Sequence, residues 1–238
     1  MGKGQIKLKE KTAIILGATG LTGGCLLQML LNDERYIKIR LFSRSSIGFS
    51  HPKLEEHLVD LLNLESYKTN FLADEVFCCI GTTKAKTPDT EMYRKIDFGI
   101  PVSAAKISRI NGIETFMVIS SMGANSKSGV SYNRIKGEME EAVLKCGIPN
   151  TYILQPSLIG GKREEKRIGE WLAKQFMKVL NFVLVGPLEK YRSIDPEVIA
   201  GSMVWLANNN YDSVRIQSDE IKRIYESHSN TSETDQYT

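Results

Sequence analysis

Short apolar runs alternate with longer amphipathic stretches along the first two thirds of the chain. The runs at 12–17, 37–43, 56–60, 75–80, 114–120 and 150–155 predict strands, and the segments 21–31, 63–70, 90–110, 131–146, 167–180 and 195–207 predict helices. Some strand runs are apolar almost throughout, as in Thr115-Phe116-Met117-Val118-Ile119, which suits a strand buried on both faces. Such strands alternating with helices form βαβ units, so the expected fold class is α/β, a doubly wound parallel sheet. After about residue 156 the alternation loosens. Residues 157–195 hold Gly160-Gly161, a mixed-charge run, a stripe of Trp171, Leu172, Phe176 and Leu180, and Val185-Gly186-Pro187. This predicts a small C-terminal substrate lobe or lid over the carboxyl ends of the strands, too short for an independent domain. Residues 1–228 therefore read as a single domain, with the polar stretch 229–238 as a disordered tail.

Composition narrows the function classes. The 238 residues are 42% hydrophobic and 25% charged, ordinary for a globular protein of one large domain. A net charge of +3, with bases scattered among acids as in Lys162-Arg163-Glu164-Glu165-Lys166-Arg167, offers no single-sign surface for nucleic acid. The 4 cysteines show no metal-ligand spacing, and the adjacent Cys78 and Cys79 face opposite sides of a strand. His51, His57 and His228 have no neighbours that suggest catalysis, and no metal site is expected. No apolar run approaches the roughly 20 residues of a membrane span. Met1-Gly2-Lys3-Gly4-Gln5-Ile6 carries neither a signal-peptide core nor a myristoylation pattern. A reduced cytoplasmic protein is the expectation.

Chemistry concentrates at strand ends. Ala13-Ile14-Ile15-Leu16 runs into Gly17-Ala18-Thr19-Gly20-Leu21-Thr22-Gly23, followed by Leu26, Leu27, Leu30 and Leu31. That is strand, tight turn, helix, and it would bring backbone N–H groups and a helix N-terminus to a diphosphate. Gly17 serves the turn, Gly20 the phosphates and Gly23 the helix–strand contact, in a GxxGxxG spacing. Thr19, Leu21 and Thr22 complete the cradle, with the Gly20 and Leu21 amides as the diphosphate donors. At the end of the second strand, Leu41-Phe42-Ser43-Arg44-Ser45-Ser46 has no acid for a ribose 2′-hydroxyl but offers Ser43 and the Arg44 guanidinium, which suit a 2′-phosphate. Further on, Tyr132-Asn133-Arg134-Ile135-Lys136 puts a phenol and an ammonium on one helix face. A cation there favours the phenolate and fits the phenol for proton exchange with a carbonyl or alcohol. The spacing is one that chance supplies in a chain with 9 tyrosines. Its position, one loop beyond Ile119-Ser120-Ser121, carries more weight.

Glycine turn, strand-end serine and Tyr-x-x-x-Lys, in that order, resemble the short-chain dehydrogenases/reductases over roughly residues 10–207. The resemblance implies that Asp60 and Leu61, closing Leu58-Val59-Asp60-Leu61, meet the adenine. It places Gly81, Thr82 and Thr83 along the ribose and phosphates, and Pro156, Ser157 and Ile159 of Gln155-Pro156-Ser157-Leu158-Ile159-Gly160 at the nicotinamide amide. Ser121, Tyr132 and Lys136 match the catalytic triplet, with Lys136 also holding the nicotinamide ribose. Asp97 stands where classical members carry an Asn that helps a proton-relay water. Within the superfamily the chain is most similar to the atypical group of the Tat-interacting-protein type. Cys78-Cys79-Ile80-Gly81-Thr82-Thr83, Ser120-Ser121-Met122-Gly123-Ala124, Lys136-Gly137-Glu138 and Arg167-Ile168-Gly169-Glu170-Trp171-Leu172 carry that likeness.

The resemblance implies an NADP-dependent oxidoreductase acting on a carbonyl or alcohol of a small molecule. Two rivals are a non-catalytic NADP(H)-sensing regulator, for which an intact acid–base pair has no use, and a nucleotide-sugar epimerase-like enzyme, which would want a larger C-terminal domain. A protein partner or a homodimer stays open.

Overall fold

The computed structural model describes residues 10–160 and 192–234. Within them seven strands form one parallel sheet: β1 (Lys11–Leu16), β2 (Tyr36–Ser43), β3 (Leu54–Leu58), β4 (Glu75–Cys78), β5 (Thr115–Ile119), β6 (Asn150–Gln155) and β7 (Arg215–Gln217), in the order β3-β2-β1-β4-β5-β6-β7. The helices are α1 (Leu21–Asn32), α2 (Thr90–Arg94), α3 (Ile100–Ile110), α4 (Ser131–Leu144), α5 (Pro196–Leu206) and α6 (Ser218–Thr234). The expected doubly wound α/β fold is the observed one.

Alternation along the central strands divides the core in two. Ala13 and Ile15 of β1, Phe77 of β4 and Met117 of β5 pack with α1, α5 and α6 on one face. Ile14, Leu16, Val76, Cys78, Phe116 and Val118 pack with α3 and α4 on the other. Every residue named is fully buried, as a strand covered on both faces demands. Cys78 and Cys79 separate to opposite faces, Cys79 lying against the first cluster.

Register aligns the carboxyl ends. Leu16 lies opposite both Phe42 and Cys78, Ile119 opposite Leu154, and Gln155 opposite Gln217. The residues that follow these strands therefore emerge along one edge. The chain reverses direction in the sheet between β1 and β4, so the crevice opens at the ends of those two strands.

Three segments differ from the expected pattern. The region 63–70, expected as a helix, is a 3-10 stretch at Leu61–Tyr67 with a kink at Asn63. Asp60 caps it, and its two buried residues, Leu61 and Leu64, are three apart, the spacing a 3-10 turn superimposes. The expected helix 90–110 is interrupted by a π turn, Lys95–Gly99, between α2 and α3. Pro101 explains the interruption: it has no N–H for the carbonyl of Asp97, so a regular ladder cannot run through that point. β7 and α6 were not anticipated, and α6 reaches Thr234, into the segment expected as a polar tail. The helix expected at 167–180, and most of the lobe expected over 157–195, lie outside the described residues.

Close packing of α1 on β1 yields a stability prediction. A Cβ on Gly23 would stand 2.1 Å from the Gly17 carbonyl oxygen, whereas one on Gly24 would sit 3.5 Å from the Ala18 carbonyl oxygen. Gly23→Ala is expected to cost about 1–3 kcal/mol through overpacking. Gly24→Ala should be neutral or stabilising by up to about 1 kcal/mol from helix propensity. Urea unfolding of both variants measures the contrast.

Candidate functional site

A cleft of about 930 Å³ runs along the carboxyl edge of the sheet. It extends from the first turn of α1 (Gly20, Leu21, Thr22), past Gly81, Thr82 and Thr83, to Ser121, Tyr132 and Lys136, and on to Pro156, Ser157 and Ile159. These twelve are residues that the sequence singled out, and the fold brings them together. Gln155 and Gln217 add an amide lining from β6 and β7.

At the α1 end the backbone is shaped for close approach. Gly17 has φ +90°, and a Cβ there would meet the Cys79 carbonyl oxygen at 2.9 Å. Gly20 caps α1 without a side chain, and the first turn holds no acidic residue. The leading N–H groups of α1 are thus open to an anion rather than occupied by a side-chain cap. Gly17 and Gly23 stand behind the turn as its geometric requirements, and Thr19 opens onto an adjoining groove beside α1. An uncapped helix N-terminus, glycine in each crowded position and a cleft of this volume fit a dinucleotide.

The remaining nucleotide-side residues lie apart from the cleft lining. Ser43 is buried, and its hydroxyl donates to the Ser45 carbonyl oxygen at 2.8 Å. Arg44 follows directly and is exposed. Asp60 is exposed and accepts from the Leu62 amide at 3.0 Å. The Leu61 side chain faces the core with Leu64 and Phe71, so only its backbone is available to a ligand.

The other end is crowded with polar groups. The Lys136 ammonium lies 2.9 Å from Asp97 Oδ1 and 3.4 Å from the Ile119 carbonyl oxygen, and both charged side chains are almost wholly buried. Asp97 Oδ2 accepts from the Thr82 amide at 2.9 Å, which ties the π turn to the loop after β4. Ser121 Oγ is buried and makes no hydrogen bond among the described residues. A buried hydroxyl without a partner is costly, and this one lines the cleft, where a ligand can satisfy it. Tyr132 is 38% exposed, with its ring centroid 6.5 Å from that of Tyr93. The Tyr93 hydroxyl is buried without a partner; burial first, then the charges of Asp97 and Tyr132, push it upward from the ordinary phenol range. Burial pushes the Cys78 thiol up to about 12 and Cys79 higher still. Both stay protonated at neutral pH and supply no nucleophile.

With that geometry in place, likeness to known proteins becomes informative. No protein-family model matches the chain. "Protein HTATIP2" of Rattus norvegicus is 31% identical over 174 residues, which span 71% of this chain and 72% of that protein. "Protein FMP52, mitochondrial" of Candida glabrata is 34% identical over 170 residues, 68% of this chain and 70% of that protein. Among solved structures, the Bordetella bronchiseptica enzyme WbmG in complex with NAD superposes with a TM-score of 0.66 at 12% identity, covering 93% of this chain and 78% of that one. The fold is that of the short-chain dehydrogenases/reductases. Within it the chain belongs to the family of HTATIP2 and FMP52. The expectation of a cytoplasmic protein is overturned here: several fungal relatives are named mitochondrial proteins, and the reduced cysteines on which the expectation rested do not discriminate between those compartments. No helix among the described residues is long and apolar enough to cross a membrane.

Glu140 is the site's main unanticipated residue. It sits one turn beyond Lys136 on α4 and is 2% exposed. Its Oε1 accepts from Ser120 Oγ at 2.5 Å and Gln155 Nε2 at 2.8 Å, and its Oε2 from Arg215 Nε at 2.8 Å. One carboxylate thus joins the ends of β5 and β6 to the start of β7. The signal was present as an acid at i+4 from Lys136 and i+8 from Tyr132, but its partners come from strands far apart in sequence. Glu140→Ala would strand the buried Ser120 and Gln155 donors while Arg215, 43% exposed, turns to water, and is expected to cost about 1–3 kcal/mol. Denaturant unfolding should show Glu140→Gln losing less than Glu140→Ala, because the amide oxygen still accepts.

Proposed function

We propose that this chain is an NADP-dependent oxidoreductase of the atypical short-chain dehydrogenase type, acting on a carbonyl or alcohol of a small molecule. The observation that carries the reading is a single cleft with an uncapped, glycine-built helix N-terminus at one end and an unpartnered serine hydroxyl, a tyrosine and a buried lysine at the other. The Gly20 and Leu21 amides hold the diphosphate, and Gly81, Thr82 and Thr83 line the ribose and phosphates. Asp60 receives the adenine amino group. Pro156, Ser157 and Ile159 approach the nicotinamide amide. The Ser43 hydroxyl is engaged with Ser45, so Arg44 carries the contact to the 2′-phosphate. When bound, the nicotinamide supplies or accepts the hydride. Ser121 Oγ orients the substrate oxygen, Tyr132 exchanges a proton with it, and Lys136 steadies the phenol and the nicotinamide ribose. The mitochondrial names of the fungal relatives support a mitochondrial setting for the activity.

Two measurements test this. Calorimetric titration should show NADPH binding about ten- to a hundredfold more tightly than NADH, the scale of one charge-assisted contact of roughly 1.5–3 kcal/mol. Arg44→Ala should bring the two affinities together, and equal affinities in the wild type would refute the cofactor assignment. Tyr132→Phe should leave nucleotide affinity nearly unchanged while turnover falls by about 10²-fold or more. Full activity of that variant on a substrate that reacts would refute the proton-exchange role.

A further inference from the structure

Arg44 and Ser45 form the exposed crest of a tightly tied loop between β2 and β3. Register sets Phe42 opposite Leu16, so Arg44 emerges beside the glycine turn that follows β1. On the other side the Val59 amide donates to the Ser43 carbonyl oxygen at 2.9 Å. The chain then closes on itself from Ser43 to Gly48. The Ser43 hydroxyl donates to the Ser45 carbonyl oxygen at 2.8 Å, and the Gly48 amide to Ser46 Oγ at 3.1 Å. Both ties to β3 end on one carboxylate. Ser46 Oγ donates to Glu56 Oε2 at 2.7 Å, and the Ile47 amide to Glu56 Oε1 at 2.8 Å.

Glu56 breaks the pattern of its strand. It lies opposite the fully buried Leu41, and both Leu54 and Ile47 pack against the core cluster to which Leu41 belongs. An acid is tolerated in that position because each of its oxygens receives a donor. An acid beside a nucleotide would otherwise hold a ribose 2′-hydroxyl. Glu56 is committed to its own loop instead. The Arg44 guanidinium and the Ser45 hydroxyl, by contrast, engage no hydrogen bond or ion pair among the described residues. A guanidinium next to a hydroxyl supplies the donors that a phosphate monoester accepts.

We infer that Glu56 is a positioning residue for a ribose 2′-phosphate: it fixes the loop from Arg44 to Gly48 so that the Arg44 guanidinium and the Ser45 hydroxyl stand ready for the phosphate. This role rests on the NADP reading above, and Glu56 acts through Arg44 without touching the ligand itself. An untied loop has to be ordered at the moment of binding, whereas a loop tied beforehand has already lost that entropy. The opposing effect is repulsion between the Glu56 carboxylate and the phosphate. Two donors cover that carboxylate, and at an exposed loop water and salt screen what remains. Order therefore outweighs repulsion.

The test uses two nucleotides that differ only in the 2′-phosphate, adenosine 2′,5′-bisphosphate and 5′-AMP, titrated calorimetrically against the full chain. The wild type should bind the bisphosphate about ten- to a hundredfold more tightly. Glu56→Ala should cut that advantage about fivefold or more while 5′-AMP affinity stays nearly unchanged. Glu56→Gln should keep most of it, because the carboxamide can accept from the Ile47 amide and donate to Ser46 Oγ. In an Arg44→Ala background, Glu56→Ala should have no further effect, as a residue acting through Arg44 requires. An undiminished advantage in Glu56→Ala, an equal loss of both nucleotides, or a further loss in the Arg44→Ala background overturns the inference. So does a rise in bisphosphate affinity in both Glu56→Ala and Glu56→Gln, which would make the carboxylate a repelling charge. If Glu56→Ala does not fold, Ser46→Ala, at an exposed position, removes one of the two ties and decides in the same way. Equal affinity of the wild type for the two nucleotides refutes the NADP reading and the role of Glu56 with it. A wild-type advantage that is lost in Arg44→Ala but kept in Glu56→Ala overturns the role of Glu56 alone.

Discussion

The site depends on how closely α1 can follow β1. Gly23 must pass the Gly17 carbonyl oxygen at a distance that admits no Cβ, and Gly17 must turn with φ +90° against the Cys79 carbonyl oxygen. Any side chain at either position would push α1 away from the sheet. The uncapped N–H groups of its first turn would then point elsewhere than into the crevice between β1 and β4. The rest of the cleft is built outward from that contact, because parallel register places the ends of β5, β6 and β7 along the same edge.

At the opposite end the problem is electrostatic. A sheet covered on both faces leaves little water for charged groups at its edge, so each must bring its own partner. Lys136 has Asp97, and Glu140 has Ser120, Gln155 and Arg215. Two hydroxyls in this neighbourhood, those of Ser121 and Tyr93, are left without a partner among the described residues. Unsatisfied polar groups collect where a ligand can complete them, and Ser121 is on the cleft wall.

The π turn links these two requirements. Pro101 prevents a regular helix from running through Asp97, and the widened turn lets the Asp97 carboxylate reach both the Thr82 amide and Lys136. A local backbone irregularity thus joins the loop after β4, which borders the nucleotide side of the cleft, to the helix that carries Tyr132.

Much of this was legible in the chain itself. The apolar runs located β1, β4, β5 and β6 because a doubly buried strand has no polar alternative, and β6 was placed residue for residue, whereas the half-exposed edge strand β3, Leu54-Glu55-Glu56-His57-Leu58, was expected two residues later, at 56–60. The glycine turn, Ser121, Tyr132 and Lys136 were recognisable by type and order, since each occupies a loop or the first two turns of a helix next to its strand. β7 was not, because Arg215-Ile216-Gln217 contributes only Ile216 to the core and is held by pairing rather than by pattern. Leu61 was read with Asp60 as a ligand contact, yet the 3-10 turn sends its side chain inward. Local residue choice determined which segments became strands and which turns could receive an anion, because those depend on backbone freedom and periodicity within a few residues. Tertiary structure alone decided that Lys136 is paired with Asp97 and that Glu140 ties three strands together. Those contacts join residues 39 and up to 75 positions apart, and burial makes the charges choose whichever partner the fold brings within reach.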